Sequence, residues 1–157
     1  IEWLLSEHPD RISFLAAQAE AERHVGSTEK ALRIYRDALG LYPNDAQLTR
    51  GYAAALMATG SPAQAIPVLE SYVSNVTESA GAFQLLARAY AAVGRPLEAN
   101  TALAEHYYTL GDVGAAIRQL DIALTQQSSD DYAAARALAR KEELMAVQRA
   151  RAGVKLR

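Results

Sequence analysis

The chain has 157 residues, half of them apolar, with a formal net charge of −2 and no cysteine. That length and apolar content suffice for one domain with a continuous core, while the charge balance lacks the basic footprint of a nucleic-acid binder. Absence of cysteine excludes disulfides, thiolate nucleophiles and Cys-ligated zinc, and no apolar run reaches the ~20 residues that span a bilayer as a helix.

Gly26, Gly60 and Gly94 stand 34 residues apart, and each is followed five positions later by an alanine, Ala31, Ala65 or Ala99. Glycine permits the left-handed backbone that ends a helix, and a small side chain lets the following helix approach its neighbour. The period therefore predicts antiparallel helix pairs. At the start of the chain, Ile1, Leu4 and Pro9 precede Tyr35, Ala38 and Pro43 by one period. Residues 1–9 accordingly read as the end of a second helix from a truncated upstream repeat, with Trp3 packed against an upstream helix.

An array over residues 10–127 follows. Its first repeat, about 12–45, carries Ala31, Tyr35 and Ala38 in its second helix, with Pro43 as the stop. The second, 46–79, places Tyr52, Ala53 and Leu56 inward; Ser61-Pro62-Ala63-Gln64 predicts a capping box with proline at the first helical position. Pro67, a turn later, predicts a bend. The third, 80–110, carries the row Phe83-x2-Leu86-Ala87-x2-Tyr90 in its first helix.

After it the step halves, since Gly111 follows Gly94 by 17 residues. One helix over 95–110 is thus expected to close the third repeat and open a half-period fourth, 95–127, with Ala116, Leu120 and Ala123 at the positions of its second helix. Residues 128–157 form the capping helix and tail, starting from an N-cap in Ser128-Ser129-Asp130-Asp131 and helical over 131–151. The apolar row Tyr132, Ala135, Leu138, Ala139 and Met145 is its expected packing stripe. Seven Lys/Arg against four Asp/Glu make residues 130–157 mildly basic. Alternation of Arg136, Arg140, Lys141, Arg149 and Arg151 with Glu142 and Glu143 favours a solvated helix over a lipid-binding one.

The small-x3-aromatic…Pro half and the Phe83-x2-Leu86-Ala87-x2-Tyr90 half together resemble tetratricopeptide (TPR) repeats. The expected fold is all-α: a TPR solenoid of antiparallel helix pairs with a long C-terminal capping helix. Such arrays bind polypeptides on a concave face.

Chemistry-bearing groups are sparse. His8, His24 and His106 form no H-E-x-x-H pair and no ligand cluster, so they read as solvated or packing residues, and no catalytic, metal or cofactor site is expected in the chain. TPR geometry places first-helix positions 2, 5, 9 and 12 on the groove: Ser13, Ala16, Glu20 and Arg23; Gln47, Arg50, Ala54 and Met57; Gly81, Gln84, Arg88 and Ala91. Of these, Glu20, Arg23, Gln47, Arg50, Met57, Gln84 and Arg88 are the candidate peptide-binding residues, the guanidinium forks of Arg50 and Arg88 suiting carboxylates or carbonyls. Ala16, Glu20, Gly51, Gly81 and Leu85 stand where a carboxylate clamp for chaperone tails needs Lys, Asn or Arg, which disfavours that role. Tyr107 reads as core and Tyr108 as a surface anchor.

The stretches 86–90 (LARAY), 104–124 (AEHYYTLGDVGAAIRQLDIAL) and 131–144 (DYAAARALARKEEL) are similar to the C-terminal TPR domain of the β-barrel assembly-enhancing metalloproteases, periplasmic zinc proteases of Gram-negative bacteria. The resemblance implies an upstream H-E-x-x-H zinc domain and a periplasmic location. It also implies contacts with outer-membrane β-barrel proteins or their assembly machinery. A free-standing TPR scaffold or adaptor, such as a lipoprotein or secretion-system component, is the alternative.

Overall fold

The computed structural model describes residues 9–76, 79–126 and 130–154. These residues form α1 (Pro9–His24), α2 (Thr28–Leu41), α3 (Ala46–Ala58), α4 (Pro62–Asn75), α5 (Ala80–Ala92), α6 (Pro96–Thr109), α7 (Val113–Thr125) and α8 (Asp131–Val154). Among them there is no strand. The expected upstream helix end at Ile1–His8, with Trp3 and His8, lies outside the described residues, as do Ser128 and Ser129.

Four helix ends share one mechanism. Gly26, Gly60, Gly94 and Gly111 have φ of 84°, 76°, 74° and 86°, and after each the next amide reaches back five residues, as in Ser27 N–H to Glu22 O at 2.8 Å and Asp112 N–H to Tyr107 O at 3.0 Å. This paired closure satisfies carbonyls that the helix end would otherwise orphan. The half step at Gly111 is thus the same turn as the full steps before it.

Helix starts are less uniform. Asp45, Asp112 and Asp130 each accept the amide three residues on, from Leu48, Ala115 and Ala133 at 2.8, 2.8 and 3.0 Å. Ser61 precedes α4 without a side-chain cap bond, so the expected capping box does not form; Pro62 at the first turn leaves one fewer orphan amide to satisfy. Asn44 takes the left-handed conformation (φ 64°) between Pro43 and Asp45, a state asparagine tolerates better than most residues. Helix α4 continues through Pro67, whose ring is exposed.

The chain divides into two compact units, residues 1–77 and 78–157. In the first, α1 packs on α2 and α3, α2 on α3, and α3 on α4. Its core joins Ala16, Ala19, Tyr35, Ala38, Tyr42, Leu48 and Ala55. In the second, α5 packs on α6, α6 on α7 and α8, and α7 on α8, around Ala104, Val113, Ala116, Leu120, Ala137 and Leu144. Helix α6 therefore has a neighbour on each side, α5 and α7.

One expectation is overturned in α8. Tyr132, Leu138 and Met145 are 73%, 47% and 40% exposed, while Ala137 and Leu144 are fully buried. The packing row is Ala137, Arg140, Lys141, Leu144 and Val147, in which two cations pair with α6 and α7, through Glu105 and Asp121. Long aliphatic stems allow charged residues to line a packed face, which apolar periodicity alone does not reveal.

Candidate functional site

In the first unit α1 and α3 touch although they are two helices apart, whereas the described residues of α2 and α4 do not. Stacked helix pairs that curve bring their inner helices together, so α1 and α3 form the inner layer. Tyr35, from α2, reaches this layer. Its ring is 1% exposed, and its hydroxyl donates to Glu20 Oε1 at 2.9 Å. Arg23 donates to Glu20 Oε2 through Nη2 at 2.7 Å and Nε at 3.1 Å.

Charge and burial act in opposite directions on these partners. The hydrogen bond from Arg23, helped by that from Tyr35, holds the Glu20 carboxyl below its ordinary range despite partial desolvation. Burial, then the bond to Glu20, pushes the Tyr35 hydroxyl well above its own. At neutral pH the pair is thus carboxylate and phenol. A further constraint sits beside it: a Cβ on Gly51 would lie 2.6 Å from the Tyr35 ring. Glycine is required at 51 because the ring occupies that space, a reason for the residue that the clamp pattern at this position does not reveal.

On α3, Gln47, Arg50 and Ala54 are exposed and Met57 is half-buried, forming one row. Arg50 Nε donates to Ala46 O on its own helix at 3.1 Å, and its guanidinium has no carboxylate partner among the described residues. Glu20 and Arg23 are half-buried on α1 and Ser13 is exposed. Ala16, expected in the groove, is 4% exposed and belongs to the core, because the first two turns of α1 point that position at α2 and α3.

The second unit has the opposite phase. There α6 and α8 are the helices two apart that touch, while the described residues of α5 and α7 do not. Gln84, Arg88 and Ala91 are exposed and Gly81 is half-buried, yet all four lie on α5, outside the touching pair. Within this unit the touching pair is thus made of the helices that follow the Gly94 turn and the Asp130 cap. Arg88 has no ion-pair partner among the described residues.

Tyr107 is half-buried and packs against the second core. Tyr108 packs there too, with the Arg140 guanidinium 4.6 Å from its ring centroid; it is engaged within the chain. His106 Nδ1 lies 2.8 Å from Ala80 O, linking α6 to the start of α5. His24 is exposed, 4.0 Å from Glu20. No group of three or more His, Asp or Glu among the described residues is placed to hold a metal ion, and no described helix is long and apolar enough to cross a membrane.

The family model described as Tetratricopeptide repeat matches residues 5–110. Among solved structures, the chain is similar to MamA residues 41 to the end from Desulfovibrio magneticus RS-1, at 21% identity and a TM-score of 0.56, covering 87% of this chain and 77% of that one. A putative kinesin light chain from Podosopora anserina with nearly identical TPR-like repeats gives 20% identity and 0.52, covering 92% and 96%. A thermophilic TPR protein from Thermus thermophilus gives 20% and 0.50, covering 92% and 86%. At such identities the likeness speaks to the fold. No curated protein matches.

Proposed function

We propose that this chain, which belongs to the tetratricopeptide-repeat family, recruits an extended polypeptide along the α1/α3 layer for a periplasmic metalloprotease acting in outer-membrane protein assembly. Repeats of this family serve as protein-interaction modules. The observation that supports binding of an extended polypeptide is the row Gln47, Arg50, Ala54 and Met57, where an exposed guanidinium without a carboxylate partner among the described residues stands beside amide and thioether groups. Such a row suits backbone carbonyls and carboxylates more than an apolar helix.

The enzymatic context rests on the similarity of residues 86–90, 104–124 and 131–144 to the TPR tail of the assembly-enhancing proteases. In that reading, zinc and catalysis belong to a domain upstream of Ile1, and the partners are unfolded outer-membrane β-barrel proteins or the machinery that assembles them. Reading the gene upstream separates this from a free-standing scaffold: a signal peptide followed by H-E-x-x-H supports the protease, and further repeats without a zinc motif support the scaffold.

Binding itself is tested by titrating the chain with an unfolded β-barrel protein. Arg50→Glu is expected to weaken capture by about tenfold, the scale of one lost charge-assisted hydrogen bond. Combining it with Arg88→Glu weakens capture further only if the ligand also reaches α5. Unchanged capture by both variants would place the binding face elsewhere.

A further inference from the structure

Helix α8 is held to the second unit by different means from α3 in the first. Over its 24 residues, Ala137 and Leu144 are the buried apolar side chains among those described, with Val147 partly buried beside them; α3 buries Leu48, Ala53, Ala55 and Leu56 within 13 residues. Charged side chains add to the α8 contact. Arg140 donates from Nε and Nη2 to the two oxygens of Glu105 at 2.7 and 2.9 Å, and from Nη1 to Glu143 at 2.9 Å. Lys141 lies 2.6 Å from Asp121, and Arg151 donates to Gly111 O at 3.3 Å.

Partly exposed ion pairs contribute little net stability and weaken with salt. Among the described helices of this unit α8 buries the fewest apolar side chains of its own and leans on such pairs, both of which lower the cost of opening it. Beneath it lies a packed face of α6 and α7: Ala104, Val113, Ala116 and Leu120, flanked by Glu105 and Asp121. That face is already complementary to one particular row, Ala137, Arg140, Lys141 and Leu144, which any second copy also carries.

We propose that α8 is a releasable cap, opening ahead of the rest of its unit, and that the face it uncovers accepts α8 from a second copy of the chain. The contacts in the exchanged pair are those of the monomer, so the exchange requires no new interface chemistry, and mass action favours it at high concentration. The α1/α3 layer takes no part, so a failure of the peptide-binding reading leaves this one standing.

Hydrogen exchange and isotope mixing test the two halves separately. The α8 amides should exchange at least tenfold faster than those of α6 and α7, and the gap should widen as NaCl rises from about 0.05 to about 0.5 M, where charge pairs are screened. Arg140→Leu keeps an apolar stem but removes the donors; it should speed α8 exchange further and flatten its salt dependence, leaving α6 and α7 unchanged. Unlabelled and 15N-labelled chains are then mixed in high salt, returned to low salt and treated with a water-soluble carbodiimide. This joins the Lys141 amine to the Asp121 carboxylate as an amide, the reagent leaving as its urea. Cross-links between the two isotopes are expected. Salt-insensitive exchange of α8 at the rate of α6 and α7 would overturn the releasable cap. Fast α8 exchange with cross-links confined to single isotopes would overturn the second copy as its occupant.

Discussion

Helix α3 starts after Asp45 and α8 after Asp130, two and a half periods later, and both aspartates cap the third amide of their helix. From that common start they diverge at the positions where a second helix would meet them. The eighth residue is Ala53 in α3, fully buried, and Leu138 in α8, 47% exposed. The fifteenth is Gly60, which turns the chain at φ 76°, and Met145, which continues the helix. Close helix approach needs the small residue and reversal needs the glycine. The comparison teaches that repeat register sets where a helix begins, while one small residue and one glycine decide whether another helix can follow against it.

Deleting core volume should separate the two helices most sharply. Leu48 and Leu144 are both fully buried, and replacing such a leucine by alanine typically costs about 2–5 kcal/mol. Leu48→Ala is expected to lower the denaturation midpoint of the whole first unit. Leu144→Ala should instead raise hydrogen exchange mainly in α8, and equal loss of protection throughout the second unit would show that α8 is integral to its core.

Next in size is Gly51→Ala. Because the new methyl would meet the Tyr35 ring at 2.6 Å, overpacking of about 1–3 kcal/mol is expected. Tyr35→Phe removes the hydroxyl oxygen, which also lies 2.6 Å from that methyl, but keeps the ring carbons at 2.6 and 2.7 Å, so it should relieve only part of the strain. Thermal melts of the two single variants and the double variant measure the coupling; a double variant less destabilised than the sum of the singles is the expected result.

Capping gives a smaller effect. Asp45→Ala and Asp130→Ala should each cost about 0.5–2 kcal/mol, the first spread over its unit and the second confined to the start of α8, read by amide exchange at Leu48 and Ala133.

The smallest effect is pH-dependent and belongs to the first unit alone. Tyr35 binds its proton more tightly when folded, so its contribution is complete below the ordinary tyrosine value near pH 10 and is lost as pH rises beyond it. Glu20 has the opposite sign: its folded carboxyl is held low, giving stability that is present above the ordinary carboxylate range and disappears as acid protonates it. Tyr35→Phe should remove the alkaline loss that this hydroxyl causes. An unchanged alkaline slope would mean that the Tyr35–Glu20 bond contributes nothing measurable.

Much of this architecture is legible in the sequence because its signals are local. Glycine at a left-handed turn depends on its own backbone, and Gly26, Gly60, Gly94 and Gly111 all take that conformation. The inward alanines beyond each turn, Ala31, Ala65, Ala99 and Ala116, are likewise buried. The hidden features depend on distant partners. Gly51 is small because of a ring 16 residues earlier, and apolar periodicity misplaces the packed face of α8 because Arg140 and Lys141 find their carboxylates on α6 and α7. The groove row expected from the period has Gln47 and Arg50 exposed on α3 and Gln84 and Arg88 exposed on α5, in different units.

The α1/α3 face is tested most directly by chemical-shift mapping of the 15N-labelled chain with an unfolded outer-membrane β-barrel fragment. Perturbations concentrated at Gln47, Arg50, Ala54 and Met57, and diminished by Arg50→Glu, are the expected result. Perturbations confined to the exposed faces of α2 and α4, or unaffected by Arg50→Glu, would contradict the assignment.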